Sequence, residues 1–152
     1  MKKLILLIVT LFYLGSYAQS SPAERVKLFN TSSGIAIKGY DPVAYFVSNM
    51  AIKGSPEISS NYKGITYLFS SIKDKALFDE NPSKYEPQYG GWCAYALGSS
   101  GEKVDINPKT FKISNGKLYL FYNAYFNNTL KSWNKDAKNL QTKADANWKK
   151  LI

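Results

Sequence analysis

The side chains best equipped for chemistry are few. The sequence holds one cysteine and no histidine, which excludes every His-based triad, every His-ligated metal centre and the commonest general base near neutral pH. Cys93 lies in Tyr89-Gly90-Gly91-Trp92-Cys93-Ala94-Tyr95-Ala96. The two glycines let a backbone bend or approach a ligand closely, and a thiol beside them can ligate a soft metal or act as a nucleophile. A nucleophilic role needs a lowered thiol pKa, which lysine would have to provide. The alternative is a buried structural thiol, since free cysteine is among the most buried residue types. With no second cysteine, an internal disulfide is excluded, and the odd thiol is buried, reactive or paired between molecules.

A second cluster is Tyr40-Asp41-Pro42-Val43-Ala44-Tyr45-Phe46. Asp41 stands at a constrained turn between aromatic residues, where a carboxylate can bind a cation or act as a base. Asp before Pro is also a common turn former whose side chain caps its own backbone. Asp74 has a comparable ambiguity, and a helix cap with Ser71 accounts for it. Glu102 and Asp105 flank Gly98-Ser99-Ser100-Gly101, which has neither the length nor the Lys-Ser/Thr ending of a phosphate-binding loop and reads as a surface turn. Asp-rich calcium spacing and Ser nucleophile elbows are missing. The candidate ligand-binding residues are therefore Asp41, Tyr45, Gly90, Gly91 and Cys93, with Cys93 and Asp41 as the metal-ligand candidates. That reading requires Asp41 and Cys93 to lie within a few ångströms of a shared ligand.

The elements that must position these residues belong to a mixed α+β fold: a small antiparallel sheet with hairpins, a short central helix, and C-terminal helices packed on it. Residues 19–33 are polar apart from Val26, Leu28 and Phe29 and read as a lead-in segment. Ile35–Ile37 forms a short strand running into the turn at Asp41-Pro42. The β-prone runs on either side of Tyr62-Lys63-Gly64-Ile65 predict a hairpin closed near Gly64. Ser71 with Asp74 predicts a helix start, and Asn81-Pro82 stops that helix, after which Pro82–Tyr85 gives a further helical turn. Phe111–Tyr122 predicts a second hairpin, because Asn115-Gly116 supplies both positive-φ positions of a two-residue turn. Alternation of Trp92, Ala94 and Ala96 with Cys93, Tyr95 and Leu97 predicts a strand after the Gly-Gly bend. Tyr125, Phe126, Leu130, Trp133, Leu140, Ala144 and Trp148 recur at roughly helical spacing, predicting one or two C-terminal helices.

At the other end of the chain, Lys2 and Lys3 precede an apolar run from Leu4 to Val9 that continues loosely to Leu14. Ser16-Tyr17-Ala18 then resembles a signal-peptide cleavage site. The run is shorter than the roughly 20 residues a membrane-spanning helix needs. The expectation is a signal peptide at residues 1–18 and an exported protein, periplasmic or secreted, with no transmembrane segment after cleavage. The formal charge of +9 becomes +7 without Lys2 and Lys3. Lysines of the C-terminal stretch are interleaved with Asp136 and Asp145, which suits a solvated helical face rather than a nucleic-acid-binding stripe.

Several motifs in order resemble one family. Gly39–Phe46, Tyr67-Leu68-Phe69-Ser70-Ser71, Phe78, Asn81-Pro82-Ser83-Lys84-Tyr85, Gln88–Tyr95 and Ala144-Asp145-Ala146-Asn147-Trp148 are similar to the exported bacterial YHS domain proteins, over about residues 34–151. The resemblance implies a small α+β module. Metal-associated YHS domains carry three cysteines at positions that fall on Ala44, Ser70 and Asp74 here, so this chain departs from their ligand set. The resulting expectation is an exported YHS-like binding domain for a transition metal such as copper or zinc, or for a small ligand or envelope protein. Thiol-dependent redox activity at Cys93 and a metal-free structural or protein-interaction module are the alternatives.

Overall fold

Glycine, proline and capping residues set the element boundaries in the computed structural model, which describes residues 21–152; the expected signal peptide lies outside the described residues. From residue 21 the expected lead-in is structured. Helix α1 (Pro22–Leu28) starts at a reciprocal capping box, in which the Ser21 side chain accepts from the Glu24 N–H and the Glu24 carboxylate accepts from the Ser21 N–H. The strands β1 (Thr31–Ser32) and β2 (Ile35–Ala36) follow, then a 3₁₀ turn over Ile37–Gly39 and the short helix α2 (Ala44–Val47). Strands β3 (Ser55–Tyr62) and β4 (Ile65–Phe69) form the expected hairpin, with Lys63 and Gly64 at φ 49° and 86°. The first sheet runs β1-β2-β4-β3, with β2 parallel to β4 and the other pairs antiparallel.

Ser71 caps α3 (Ile72–Glu80) by accepting from the Asp74 N–H at 3.1 Å, as its spacing predicts. The Asp74 carboxylate lies 3.2 Å from the Ser70 hydroxyl oxygen instead of completing the box. Helix α4 (Pro82–Tyr85) follows, then a 3₁₀ turn over Gln88–Gly91. The hairpin closed by Asn115 and Gly116 comprises β5 (Asn107–Ser114) and β6 (Lys117–Phe121). The two helices expected at the C-terminus are α6 (Thr129–Lys135) and α7 (Ala137–Lys149).

Two expectations are corrected. Residues 94–99 form helix α5 (Ala94–Ser99), not a strand. Ala94, Ala96, Leu97 and Gly98 are all buried, so the helix has no polar face to reveal its period, and a short apolar run reads equally well as either element. Gly98 decides between them: a Cβ there would stand 2.5 Å from the Leu140 carbonyl oxygen, so its absence lets α5 cross directly on the α7 backbone. Tyr125 and Phe126, grouped by spacing with the C-terminal helices, instead form the two-residue turn between β7 (Asn123–Ala124) and β8 (Asn127–Asn128).

The core has two parts. One joins the first sheet to α3 and α4 around Phe78, whose ring lies 4.7 Å from that of Tyr67 and 5.1 Å from that of Phe69. The other packs α5, α6 and α7 on β6 through Leu97, Phe121, Trp133 and Ala144. Helix α1 is tied to the first part by the Arg25–Glu86 ion pair at 2.6 Å, and Glu86 also accepts from the Tyr67 hydroxyl.

Candidate functional site

Asp41 is fully buried and its carboxylate is already occupied. Oδ1 accepts from the backbone N–H groups of Val43 and Ala44 at 2.8 and 3.3 Å. Oδ2 accepts from the Ser70 N–H and hydroxyl at 2.7 and 2.8 Å. The first pair is the self-capping turn that Asp-Pro favours; the second ties that turn to the end of β4. Burial raises the carboxyl above its ordinary value, and the four donated hydrogen bonds limit the rise.

Cys93 is also fully buried. Its Sγ accepts from the Tyr122 N–H at 3.3 Å and lies 3.4 Å from the Thr129 hydroxyl oxygen. The thiol therefore bridges the start of α5 to the segment leaving β6. Asp41 and Cys93 share no hydrogen-bond partner: one is bound to Ser70 and its own turn, the other to Tyr122 and Thr129. Tyr45 is equally enclosed, donating to the Pro108 carbonyl at 2.9 Å and stacking edge-on against Phe111 at 4.8 Å. Burial pushes its hydroxyl pKa well up.

Gly90 and Gly91, at φ 59° and 84°, serve packing. A Cβ on Gly90 would lie 2.9 Å from Trp148 and 3.0 Å from Phe29. The carbonyls of both glycines accept from Asn30, so the bend receives the segment after α1. Trp92 continues the same joint by donating its indole N–H to the Leu28 carbonyl at 2.8 Å. The five residues singled out from sequence thus serve the fold: Tyr45 and Cys93 share the first core cluster, Asp41 caps the turn before Tyr45, and Gly90 and Gly91 hold Asn30.

The described residues do not fit a transition metal. Such an ion needs several deprotonated ligands around one point. Among the described residues, no group of three or more cysteine, aspartate and glutamate side chains converges in this way.

Of the five, Gly90 lines a cleft of about 480 Å³ with Phe29, Glu86, Tyr89 and Trp148, and a second cleft lies away from all five. A cleft of about 610 Å³ runs between the β1–β2 edge and the chain entering β3, bounded by Asn30, Thr31, Ser32, Ile35, Lys38, Gly39, Lys53, Gly54, Pro56, Leu68 and Asp105. Its geometry follows from a short backbone pairing. The Asp41 N–H donates to the Ile52 carbonyl, the Gly54 N–H donates to the Gly39 carbonyl, and Tyr40 bridges Lys53. This brings Lys38 and Lys53, fifteen positions apart, to one rim. The opposite side of β3 leaves its ladder, which jumps from Ser55↔Phe69 to Ser59↔Leu68, so Pro56 projects as a wall without a backbone donor to satisfy. Gly39 is required by its φ of 77°, and a Cβ on Gly54 would collide with the Leu68 backbone at 2.5 Å.

The rim is charged and the wall apolar. Lys38 pairs with Asp105 at 2.6 Å. Partial burial works to raise the Asp105 carboxyl, but hydrogen bonds from Lys38, Asn30 and the Ile106 N–H hold it below its ordinary value. Lys53 donates to the Lys38 carbonyl at 2.7 Å and lies 4.9 Å from the centre of the Tyr40 ring. Among the described residues, no carboxylate pairs with Lys53. The cleft therefore carries one uncompensated ammonium beside Ile35, Pro56 and Leu68. Of its lining, sequence reading weighed only Asp105 for chemistry, as part of a surface turn, and met Ile35, Gly39 and Leu68 only as a strand residue and as parts of the family motifs.

Comparison with protein-family models, with curated proteins and with solved structures finds no match for this chain.

Proposed function

We infer that the chain is a non-enzymatic binding domain of the cell envelope, exported and YHS-like in its motifs, and that its ligand is a small organic anion held in the Lys38–Lys53 cleft. The observation that carries this reading is the Lys53 ammonium, which no carboxylate among the described residues pairs, at the rim of a cleft whose wall is Ile35, Pro56 and Leu68. A carboxylate or phosphate on the ligand would accept from Lys53, and its apolar body would cover the wall. Pockets of roughly 300–1,000 Å³ with a mostly apolar lining and a few placed polar groups are the usual size and chemistry for such ligands. The Lys38–Asp105 pair gives a second polar contact without adding net charge.

The thiol reading is disfavoured by the burial of Cys93, and the metal reading by the full hydrogen-bond complement of Asp41. The experiment is a titration with benzoate and with phenyl phosphate, using neutral benzamide as the control, read by backbone amide chemical shifts. The reading expects the two anions to move the Gly39, Lys53 and Gly54 amides while benzamide does not. Anions that leave those amides unmoved up to about 10 mM, where binding is worth less than about 3 kcal/mol, overturn it.

A further inference from the structure

The β7–β8 hairpin ends in the two most exposed large hydrophobic residues described: Tyr125 is 92% exposed and Phe126 111%. Both hold left-handed backbone, at φ 51° and 65°. A two-residue hairpin turn requires that conformation and is normally given Asn-Gly, as at Asn115-Gly116 in the same chain. Bulky side chains pay steric strain there. The turn thus carries strain and unburied apolar surface together, and no contact within the fold compensates either.

The chain segment that carries the hairpin is cationic. Between Asp105 and Asp136 the chain carries Lys109, Lys112, Lys117, Lys131 and Lys135 and no aspartate or glutamate. The hairpin is fixed to this segment: Asn107 donates to the Asn123 carbonyl, Asn123 donates to the Thr110 hydroxyl, and α6 begins immediately after β8. Lys109, beside Thr110, and Lys131, in the first turn of α6, are exposed. No described cleft takes in Tyr125 or Phe126; one of about 280 Å³ reaches the hairpin only at its base, at Asn123 and Ala124, beside the Lys38–Asp105 pair.

We propose that the Tyr125–Phe126 tip inserts into the interfacial zone of an anionic lipid bilayer, with Lys109 and Lys131 on the headgroups. Tyrosine favours that zone because it receives an apolar ring and a polar edge at once, and the Phe126 ring adds apolar area at the acyl boundary. An exposed aromatic tip in a segment with five lysines and no acid between Asp105 and Asp136 matches a negatively charged deformable surface. A polysaccharide chain would instead call for a concave aromatic platform. Each lysine near such a surface contributes about fivefold in affinity, and salt screens the effect.

The test is co-sedimentation with vesicles of phosphatidylglycerol and phosphatidylcholine, and of phosphatidylcholine alone, using the protein as its producing cell processes it. Wild type is compared with the double substitution Tyr125→Asn, Phe126→Gly. That variant restores the preferred turn sequence, so it folds at least as well, and it shares the wild-type N-terminus. The expected result is wild-type binding to the anionic vesicles, weakened about tenfold or more in the variant and weakened by salt. Lys109→Gln with Lys131→Gln should lower the preference for phosphatidylglycerol while leaving thermal stability unchanged. The proposal is overturned by equal sedimentation of wild type and the tip variant. It is equally overturned by no vesicle binding, whether or not the protein is retained by an anionic polysaccharide such as alginate.

Discussion

Replacing Asp41 by alanine removes, in one step, the acceptor of three backbone N–H groups and one hydroxyl. A buried donor left unsatisfied costs roughly 1–3 kcal/mol. Ser70 lies at the surface and water can reach its donors, so the Val43 and Ala44 N–H groups dominate and the sum is about 2–6 kcal/mol. That is a large share of a domain stability of roughly 5–15 kcal/mol. With a urea dependence of about 1.5 kcal/mol per molar, a loss near 4 kcal/mol lowers the unfolding midpoint by about 2–3 M. Tryptophan fluorescence follows the transition. Ser70→Ala removes the hydroxyl alone and should cost about 1 kcal/mol. Asp41→Asn keeps one acceptor oxygen but turns an amide toward the Ser70 donors, and should fall between the two. An Asp41→Ala midpoint within about 0.3 M of wild type refutes the reasoning, because the carboxylate would then not be the tie between the Asp-Pro turn and β4.

Cys93 should resist thiol reagents in the native protein and react only as fast as the chain opens, with Cys93→Ala costing about 1–2 kcal/mol for the lost Tyr122 contact; fast labelling at neutral pH contradicts its burial. Gly98→Ala should destabilise by more than about 2 kcal/mol, because the added methyl meets the Leu140 backbone rather than a side chain that can move, and an unchanged melting temperature would show that α5 and α7 do not cross there. Burial raises the hydroxyl pKa values of Tyr45, Tyr67, Tyr89 and Tyr119. The unfolded chain therefore releases those protons first. The stability they contribute is fully present below their unfolded pKa of about 10 and is lost as pH rises toward their folded values. Tyrosinate absorbance should accordingly rise in two steps, the second coinciding with alkaline unfolding; a single step near pH 10 without unfolding opposes this.

The elements fixed by local chemistry were legible in the sequence. Gly64 and Asn115-Gly116 dictate their hairpins, and Ser71 and Asn81-Pro82 bound α3, because each acts through its own backbone. Ser21-Pro22-Ala23-Glu24 at the start of α1 is a stronger capping signature than that of α3, yet the polar composition of residues 19–33 led to a lead-in segment with no helix. Helix α5 was illegible for a different reason: burial on all sides erases the period that distinguishes helix from strand. Tyr125 and Phe126 occupy a turn whose usual residues they are not, so spacing misassigned them. Burial explains the candidate site residues too. Asp41 and Cys93 carry reactive groups, but the fold spends those groups on hydrogen bonds to the backbone. The cleft left no motif because its walls come from four separated stretches, around residues 30–39, 53–56, 68 and 105, brought together by the pairing of residues 39–41 with 52–54.

The central claim is that ligand recognition rests on the Lys53 rim and not on the thiol. The most direct measurement is benzoate affinity in wild type, Lys53→Gln and Cys93→Ser, each checked for an intact fold. Losing a charge-assisted hydrogen bond should weaken Lys53→Gln about tenfold or more, while Cys93→Ser binds as wild type does. Unchanged affinity in Lys53→Gln, or a loss confined to Cys93→Ser, would contradict the account.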